Sequence, residues 1–176
     1  MAAGICYGST DLDLAEDPAV AAARLRPLLP EAFLLVSSPL RRCLALARAL
    51  APEPRQDTRL QEMHFGRWEG RAWDHIHRDE AQALDLWAKD VANAAPHGGE
   101  TALELQARAL AAVAQVQGQG GDVAVLVTHG GVLKALFGHW LELPPEHWSR
   151  LHFDFAGVSR VRLGQLGPQV RWLNRV

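Results

Sequence analysis

The hydrophobic pattern is clearest over residues 123–127, Val-Ala-Val-Leu-Val, which form a continuous apolar run. No polar residue alternates with the apolar ones, and this is typical of a strand buried on both faces of a parallel sheet. His129 closes the run, Gly130 and Gly131 allow a sharp turn, and a helical pattern continues to about Leu141. The pattern therefore predicts a buried strand that ends at His129 and leads directly into a helix.

A second segment repeats this pattern nearer the start of the chain. Residues 33–36 are apolar and predict a short buried strand. Ser38 is a suitable helix N-cap and Pro39 suits the first turn, so a helix is expected through Leu50. Arg42 lies in the first turns of that helix. Each unit thus places polar side chains where a strand ends and a helix begins.

The rest of the chain also alternates between apolar runs and turn residues. The pattern predicts a loop over 1–14, helices over 18–29, 73–92 and 102–116, and strands over 151–155, 158–163 and 170–173. Asp17 is expected to cap the first of these helices, and Thr101 with Glu104 forms a capping box for the last. Strands that alternate with helices are typical of an α/β protein, and we expect a three-layer α/β/α sandwich.

The polar residues at the strand ends are candidates for binding an anion. Free N–H groups and the positive end of the helix dipole favour a phosphate at Gly130, and the imidazole of His129 could donate to it. The guanidinium of Arg42 could bind phosphate oxygens in a bidentate way. A turn in which His129 only bonds to the local backbone explains that residue equally well at this point.

Composition narrows the class of protein. The 176 residues are 48% hydrophobic, so residues 1–176 are expected to form one domain. A net charge of -2 and a pI near 6.4 leave no basic footprint for nucleic acid, and no apolar run is long enough to span a membrane. Two distant cysteines, Cys6 and Cys43, and no recognisable leader favour a reducing cytoplasm. A homo-oligomer is left open.

The histidines offer a metal site as a further hypothesis, which the spacing disfavours. His75 and His77 are two residues apart on an expected helix and cannot share a face. No histidine pair has i, i+4 spacing and there is no Cys-x-x-Cys motif. We therefore expect no metal ligands.

Four motifs together resemble the histidine phosphatase (phosphoglycerate mutase-like) superfamily. They are Ser37-Ser38-Pro39-Leu40-Arg41-Arg42, Glu62-Met63-His64-Phe65-Gly66-Arg67-Trp68-Glu69-Gly70, Gly98-Gly99-Glu100-Thr101 and Thr128-His129-Gly130-Gly131, in this order. Within the superfamily, residues 6–11 and 68–73 look most like the α-ribazole phosphatases of cobalamin biosynthesis. The resemblance implies a phosphoglycerate mutase-like sandwich and a phosphomonoesterase that acts on a small phosphorylated metabolite, α-ribazole 5'-phosphate being the best match.

The resemblance also implies a mechanism without metal or cofactor. A nucleophilic histidine takes the phosphoryl group, a glutamate protonates the leaving oxygen, and water then hydrolyses the phosphohistidine. By motif, Glu62 matches the acid and base, Arg42 the phosphate-binding arginine, and His129 the second histidine beside the phosphoryl oxygens. Gly130 lies at the phosphate end of the helix, and the loop that contains Ser9 and Thr10 faces the substrate.

One part of the family pattern is missing from the chain. The family's nucleophile lies in an Arg-His-Gly motif after the first, central strand, upstream of the loop Cys6-Tyr7-Gly8. We therefore expect an N-terminally truncated domain with unpaired strand edges and uncovered apolar surface, and little or no activity. A pseudo-enzyme that binds a phosphorylated ligand through Arg42 and His129 without turnover is the alternative.

Overall fold

The computed structural model describes residues 4–14 and 16–176. The helices are α1 (Pro18–Leu25), α2 (Arg41–Leu50), α3 (Trp73–Asp79), α4 (Ala81–Lys89), α5 (Ala102–Gly118) and α6 (Gly130–Trp140). The strands are β1 (Leu34–Ser37), β2 (Arg55–Gln56), β3 (Ala124–Val127), β4 (Val158–Gly164) and β5 (Gly167–Arg175). Short 3-10 helices cover Arg26–Leu28, Thr58–Leu60, Gly66–Trp68 and Pro145–Arg150. None of the described helices is both long and apolar enough to cross a membrane.

The sheet that positions the site has three parallel strands in the order β2-β1-β3. Leu34 pairs with Ala124 and Ser37 pairs with Val127, so β1 and β3 end at the same level. Because parallel strands share one carboxyl edge, the segments after β1 and β3 meet there. Strands β4 and β5 form a separate antiparallel hairpin.

Helices cover both faces of this sheet. On one face, buried side chains of α1 and α2, such as Leu25 and Ala47, pack against Leu35 of β1. On the other, side chains of α5 and α6, such as Leu105 and Leu136, pack against Val36. The mixed α/β, phosphoglycerate mutase-like fold is therefore confirmed, with helices on the two sides of a small parallel sheet.

A third cluster joins the first described residues to α3 and α4. Cys6, Trp68 and Ile76 are fully buried in it. Ile5 forms an isolated bridge with Ala72. The predicted loop is otherwise confirmed over 4–14, and residues 1–3 lie outside the described part of the chain.

Strand β3 differs from the prediction of a strand buried on both faces. It is the last strand of the described sheet, Ala124 is exposed, and Val127 is its one buried residue. A cavity of about 1640 Å³ lies between β3 and β4, lined largely by apolar side chains, and it reaches Arg42, Glu62 and His129. Within the described residues, β3 therefore pairs with β1 on one edge and lines the cavity.

Other predicted elements are confirmed or corrected individually. Asp17 caps α1, and Thr101 with Glu104 forms the capping box of α5. The strand predicted over 151–155 is wrong: the Asp154 N–H bonds to the Asn174 side chain and not to a strand ladder.

Two predicted helices have different bounds. The helix predicted over 73–92 is two helices that break at Glu80, whose carboxylate bonds to Arg67 and Trp68. Ser38 does not cap α2, which begins only after Leu40.

Candidate active site

The Arg42 side chain extends from the first turn of α2 to His129, the residue that follows β3 and Thr128. Its Nε donates to Nδ1 of His129 at 3.1 Å. Its two terminal nitrogens donate to the carbonyl oxygens of Thr10 at 2.8 Å and Gly8 at 2.5 Å. A guanidinium has five N–H donors, so two are left over after these three bonds.

His129 follows β3 and is buried, with a relative exposure of 7%. Because Arg42 can only donate, Nδ1 accepts, and Nε2 of the neutral ring carries the hydrogen and donates to Ser38 Oγ at 2.8 Å. Burial, followed by the charges of Arg42 and Arg108, lowers the pKa of His129 to about 3. The ring is therefore neutral at pH 7, and both nitrogens are hydrogen-bonded.

The thiol of Cys43 lies beside the same imidazole. Its Sγ donates to the Thr128 carbonyl at 3.4 Å and lies 3.5 Å from Nε2 of His129. Burial raises the pKa of Cys43 to about 12, so the neutral thiol covers one side of the ring.

The Glu62 side chain lies against the N-terminus of α6 and lines the cavity. Its carboxyl oxygens accept the N–H groups of Met63 and Gly131, each at 2.8 Å. A Cβ at position 131 would lie 2.9 Å from Glu62 Cδ, so glycine is needed for this approach. Burial raises the pKa of Glu62, although the two N–H groups and the nearby Arg42 oppose the shift.

Arg108 of α5 fixes the segment that leads to Glu62. Its guanidinium donates to the carbonyl oxygens of Arg59, Gln61 and Glu62 at 2.6–3.2 Å. Glu100 binds it on the other side, with the Nε–Oε1 distance at 2.5 Å. Glu100 of the Gly-Gly-Glu-Thr motif therefore orients Arg108, which in turn holds the backbone at Glu62.

The predicted substrate loop is bonded differently from the expectation. The hydroxyl of Ser9 donates to Glu69 at 3.1 Å, and the hydroxyl of Thr10 also donates to Glu69. Both hydroxyls therefore point into the protein in this structure, and the Thr10 carbonyl faces Arg42.

The structure brings Arg42, Glu62 and His129 to one end of the cavity, as the resemblance implied. Gly130 is exposed at the start of α6. The possibility that His129 only bonds to its own turn is not what the structure shows, because both ring nitrogens bond to side chains from the other strand–helix unit.

Sequence reasoning missed three residues of this site. The sequence predicts Ser38 to be a helix cap, and it assigns no role to Glu69 in the motif over residues 62–70. Arg108 carried one signal, a charged residue beside the buried positions Leu105 and Ala109 of α5.

The described residues hold no group of three or more metal-ligating side chains in a binding arrangement. His75 and His77 are both exposed on α3. The metal hypothesis thus gains no support from the described part of the chain.

Comparison with known proteins agrees with the geometry. The model of the histidine phosphatase superfamily (branch 1) matches residues 1–176. A glucosyl-3-phosphoglycerate phosphatase of Mycolicibacterium vanbaalenii is 40% identical over 181 residues, which cover 92% of this chain and 75% of the relative. An adenosylcobalamin/alpha-ribazole phosphatase of Escherichia coli is 28% identical over 116 residues, 65% of this chain and 57% of the relative.

The solved structures give the same result. A mycobacterial glucosyl-3-phosphoglycerate phosphatase in complex with VO3 has a TM-score of 0.84 at 30% identity, covering 98% of this chain and 92% of the other. The chain therefore belongs to the histidine phosphatase superfamily, branch 1.

Proposed function

We propose that this phosphatase hydrolyses the phosphomonoester of a small phosphorylated metabolite at the end of the cavity where Arg42, His129 and Glu62 meet. The observation that carries the proposal is a cationic group and a helix N-terminus placed beside a carboxyl whose pKa is raised by burial. An anion is favoured by the first two, and a proton donor by the third.

Each residue has a part in the proposed reaction. The two remaining N–H groups of Arg42 and the backbone at Gly130 bind phosphate oxygens. Glu62 keeps its proton to a higher pH than an ordinary glutamate, so it can protonate the leaving alkoxide. His129 is the second histidine, and its Nε2–H can donate to an equatorial oxygen only after releasing Ser38, because Nδ1 carries no hydrogen.

We assign no attacking histidine among the described residues. Arg42 contacts one histidine ring within them, His129, whose two nitrogens are both bonded. We therefore propose that the chain turns over weakly. The similarity to named phosphatases supports turnover over a phosphate-binding pseudo-enzyme.

The similarities also bear on the substrate. Relatives named glucosyl-3-phosphoglycerate phosphatase are 37–40% identical and cover more of the chain than the α-ribazole phosphatase. We therefore place glucosyl-3-phosphoglycerate first and α-ribazole 5'-phosphate, which residues 6–11 favour, second.

The test is phosphate release from both esters and from p-nitrophenyl phosphate, with a chelator present. We expect glucosyl-3-phosphoglycerate to give the highest kcat/KM, and Glu62→Gln to lower kcat by about 10²–10⁴-fold. Glu53→Gln, which replaces an exposed carboxylate that does not line the cavity, is the matched control and should leave the rate unchanged. Absence of release from every ester, with phosphate still bound, would favour the pseudo-enzyme.

A further inference from the structure

Glu69 collects six hydrogen bonds on one carboxylate and touches none of the reacting positions. Four come from backbone N–H groups: Gly8 at 3.1 Å, Ser9 at 3.0 Å, Thr10 at 3.1 Å and Phe65 at 2.9 Å. The hydroxyls of Ser9 (3.1 Å) and Thr10 give the other two. The loop 8–10 is therefore folded around this carboxylate.

The same loop presents its opposite side to Arg42. The carbonyl oxygens of Gly8 and Thr10 accept from the two terminal nitrogens of the guanidinium. Nε of Arg42 then faces Nδ1 of His129. Glu69 and Arg42 are thus joined through the loop: the Gly8–Ser9 peptide group donates its N–H to Glu69 and accepts from Arg42 at its C=O, and Thr10 donates its own N–H to Glu69 and accepts from Arg42 at its own C=O.

We propose that Glu69 is a positioning residue, which fixes the loop 8–10 so that Gly8 and Thr10 hold the Arg42 guanidinium against His129 with two donors free for phosphate. The proposal rests on the proposed function only in assigning phosphate to Arg42. Six donors that point at one place need an anion there, since unpaired buried N–H groups are costly. A neutral amide offers one acceptor oxygen and turns two further donors toward the loop.

The consequence is a specific pattern among variants. Glu69→Gln should release the loop and weaken binding of inorganic phosphate about tenfold or more, while the fold persists. Glu69→Asp keeps the charge on a shorter side chain and should recover part of that affinity. A general loss of stability would not make the charge-conserving variant bind better than the isosteric one.

Glu80 supplies a matched control, because its carboxylate bonds to Trp68, the residue before Glu69. Its carboxylate accepts from Arg67 Nε at 2.8 Å and Trp68 Nε1 at 3.1 Å, and it also bonds to Arg71. None of these hydrogen-bond partners of Glu80 belongs to the loop 8–10. Glu80→Gln therefore removes an anchoring charge nearby without releasing Arg42.

The experiment titrates inorganic phosphate into the native chain and the three variants. NMR gives two readouts, the affinity for phosphate and the chemical shift of the Arg42 Nε–H group. We expect Glu69→Gln to weaken phosphate binding and to shift or broaden the Arg42 Nε–H signal. We expect Glu80→Gln to keep the phosphate affinity within twofold of the native chain and to leave the Arg42 signal unshifted. An unchanged Arg42 signal in Glu69→Gln would overturn the proposal.

The two proposals fail in different ways. If the native chain binds no phosphate at tens of millimolar while Glu69→Gln still perturbs the Arg42 signal, the proposed function falls and the positioning role stands. If Glu69→Gln does not fold, Glu69→Asp carries the test, and an Asp variant equal to the native chain in both readouts supports the need for charge. An Asp variant that binds phosphate normally but has lost the native Arg42 signal contradicts it.

Discussion

Two glutamates seven residues apart, Glu62 and Glu69, have opposite charge preferences. Glu62 accepts two backbone N–H groups, and burial raises its pKa. Burial also acts on Glu69, but six hydrogen bonds, led by the Thr10 hydroxyl, outweigh it and lower its pKa to about 2. Deeper burial with only two donors raises the pKa of Glu62, whereas shallower burial with six donors lowers the pKa of Glu69.

The difference separates two tasks at one site. A carboxyl that keeps its proton can give it to a leaving group, whereas a carboxylate that keeps its charge can hold a loop. Both lie on one short segment, and each contacts a different partner: Gly131 at the start of α6 for Glu62, and the loop 8–10 for Glu69.

The largest effect is expected for Glu69→Gln at neutral pH. A pKa near 2 against 4.5 in the unfolded chain means that the charged carboxylate stabilises the fold, by about 1–3 kcal/mol once solvent screening of a partly exposed group is allowed for. Because the folded pKa is depressed, this contribution is present above pH 4.5 and is lost as the pH falls toward 2. Urea unfolding at pH 7 and at pH 3 should show a large difference from the native chain that shrinks at the lower pH. A difference that stays constant over this range would mean that the charge is not its source.

The next effect concerns the approach of Glu62 to α6. Gly131→Ala would place a methyl group against the Glu62 carboxyl and push it toward the cavity, at a cost of about 1–3 kcal/mol. Gly130→Ala is the control, because a Cβ there meets open space. Thermal unfolding should rank Gly131→Ala well below Gly130→Ala, and equal stabilities would contradict the close packing.

A smaller effect is expected when one donor to Glu69 is removed. Thr10→Val keeps the side-chain shape but deletes its hydroxyl bond to the carboxylate, which should cost about 1.5 kcal/mol. The pKa of Glu69 should rise toward its ordinary value, as an NMR titration of the carboxyl carbon would show. Thr58→Val, at an exposed position, should change neither quantity. An unaltered Glu69 titration in Thr10→Val would show that the backbone donors alone set its charge.

The smallest change in stability, and one of opposite pH dependence, is expected for Glu62→Gln. A raised folded pKa means that the native chain gains stability as the pH falls through that pKa toward 4.5. The amide cannot titrate, so the variant should lose this slope while differing by less than about 1 kcal/mol at pH 7.5. Urea unfolding between pH 4.5 and 8 checks the sign, and a native chain that weakens over the falling range would refute it.

The elements set by local sequence were predictable. Asp17 and the Thr101–Glu104 capping box act within a few residues, so their positions follow from the sequence alone. The strands predicted over 158–163 and 170–173 are also present as β4 and β5, while their pairing as a hairpin is a finding of the structure. Strand β3 was predicted by type, but its exposure depends on which strands lie beside it, and a single apolar run does not carry that information.

The site divides in the same way. Arg42 and His129 were predicted at the ends of two strands, where topology brings residues together, and Glu62 was implied by the resemblance to the histidine phosphatase superfamily. The roles of Ser38 and Glu69 depend on contacts with residues 60 to 91 positions away, such as His129 with Ser38. No local pattern specifies such a contact, so these roles required the structure.

The two cysteines acquire a use from where they lie. Cys43 is buried beside His129, Cys6 is buried beside Trp68, and burial raises the pKa of each thiol to about 12, with Glu62 adding to the shift at Cys43 and Glu69 at Cys6. Only the thiolate reacts with alkylating reagents, so at pH 8 neither reacts appreciably until its surroundings open. The labelling rate of Cys43 therefore measures how often the Glu62 side of the pocket opens, and that of Cys6 measures the same for the Glu69 side, without a cysteine having to be introduced.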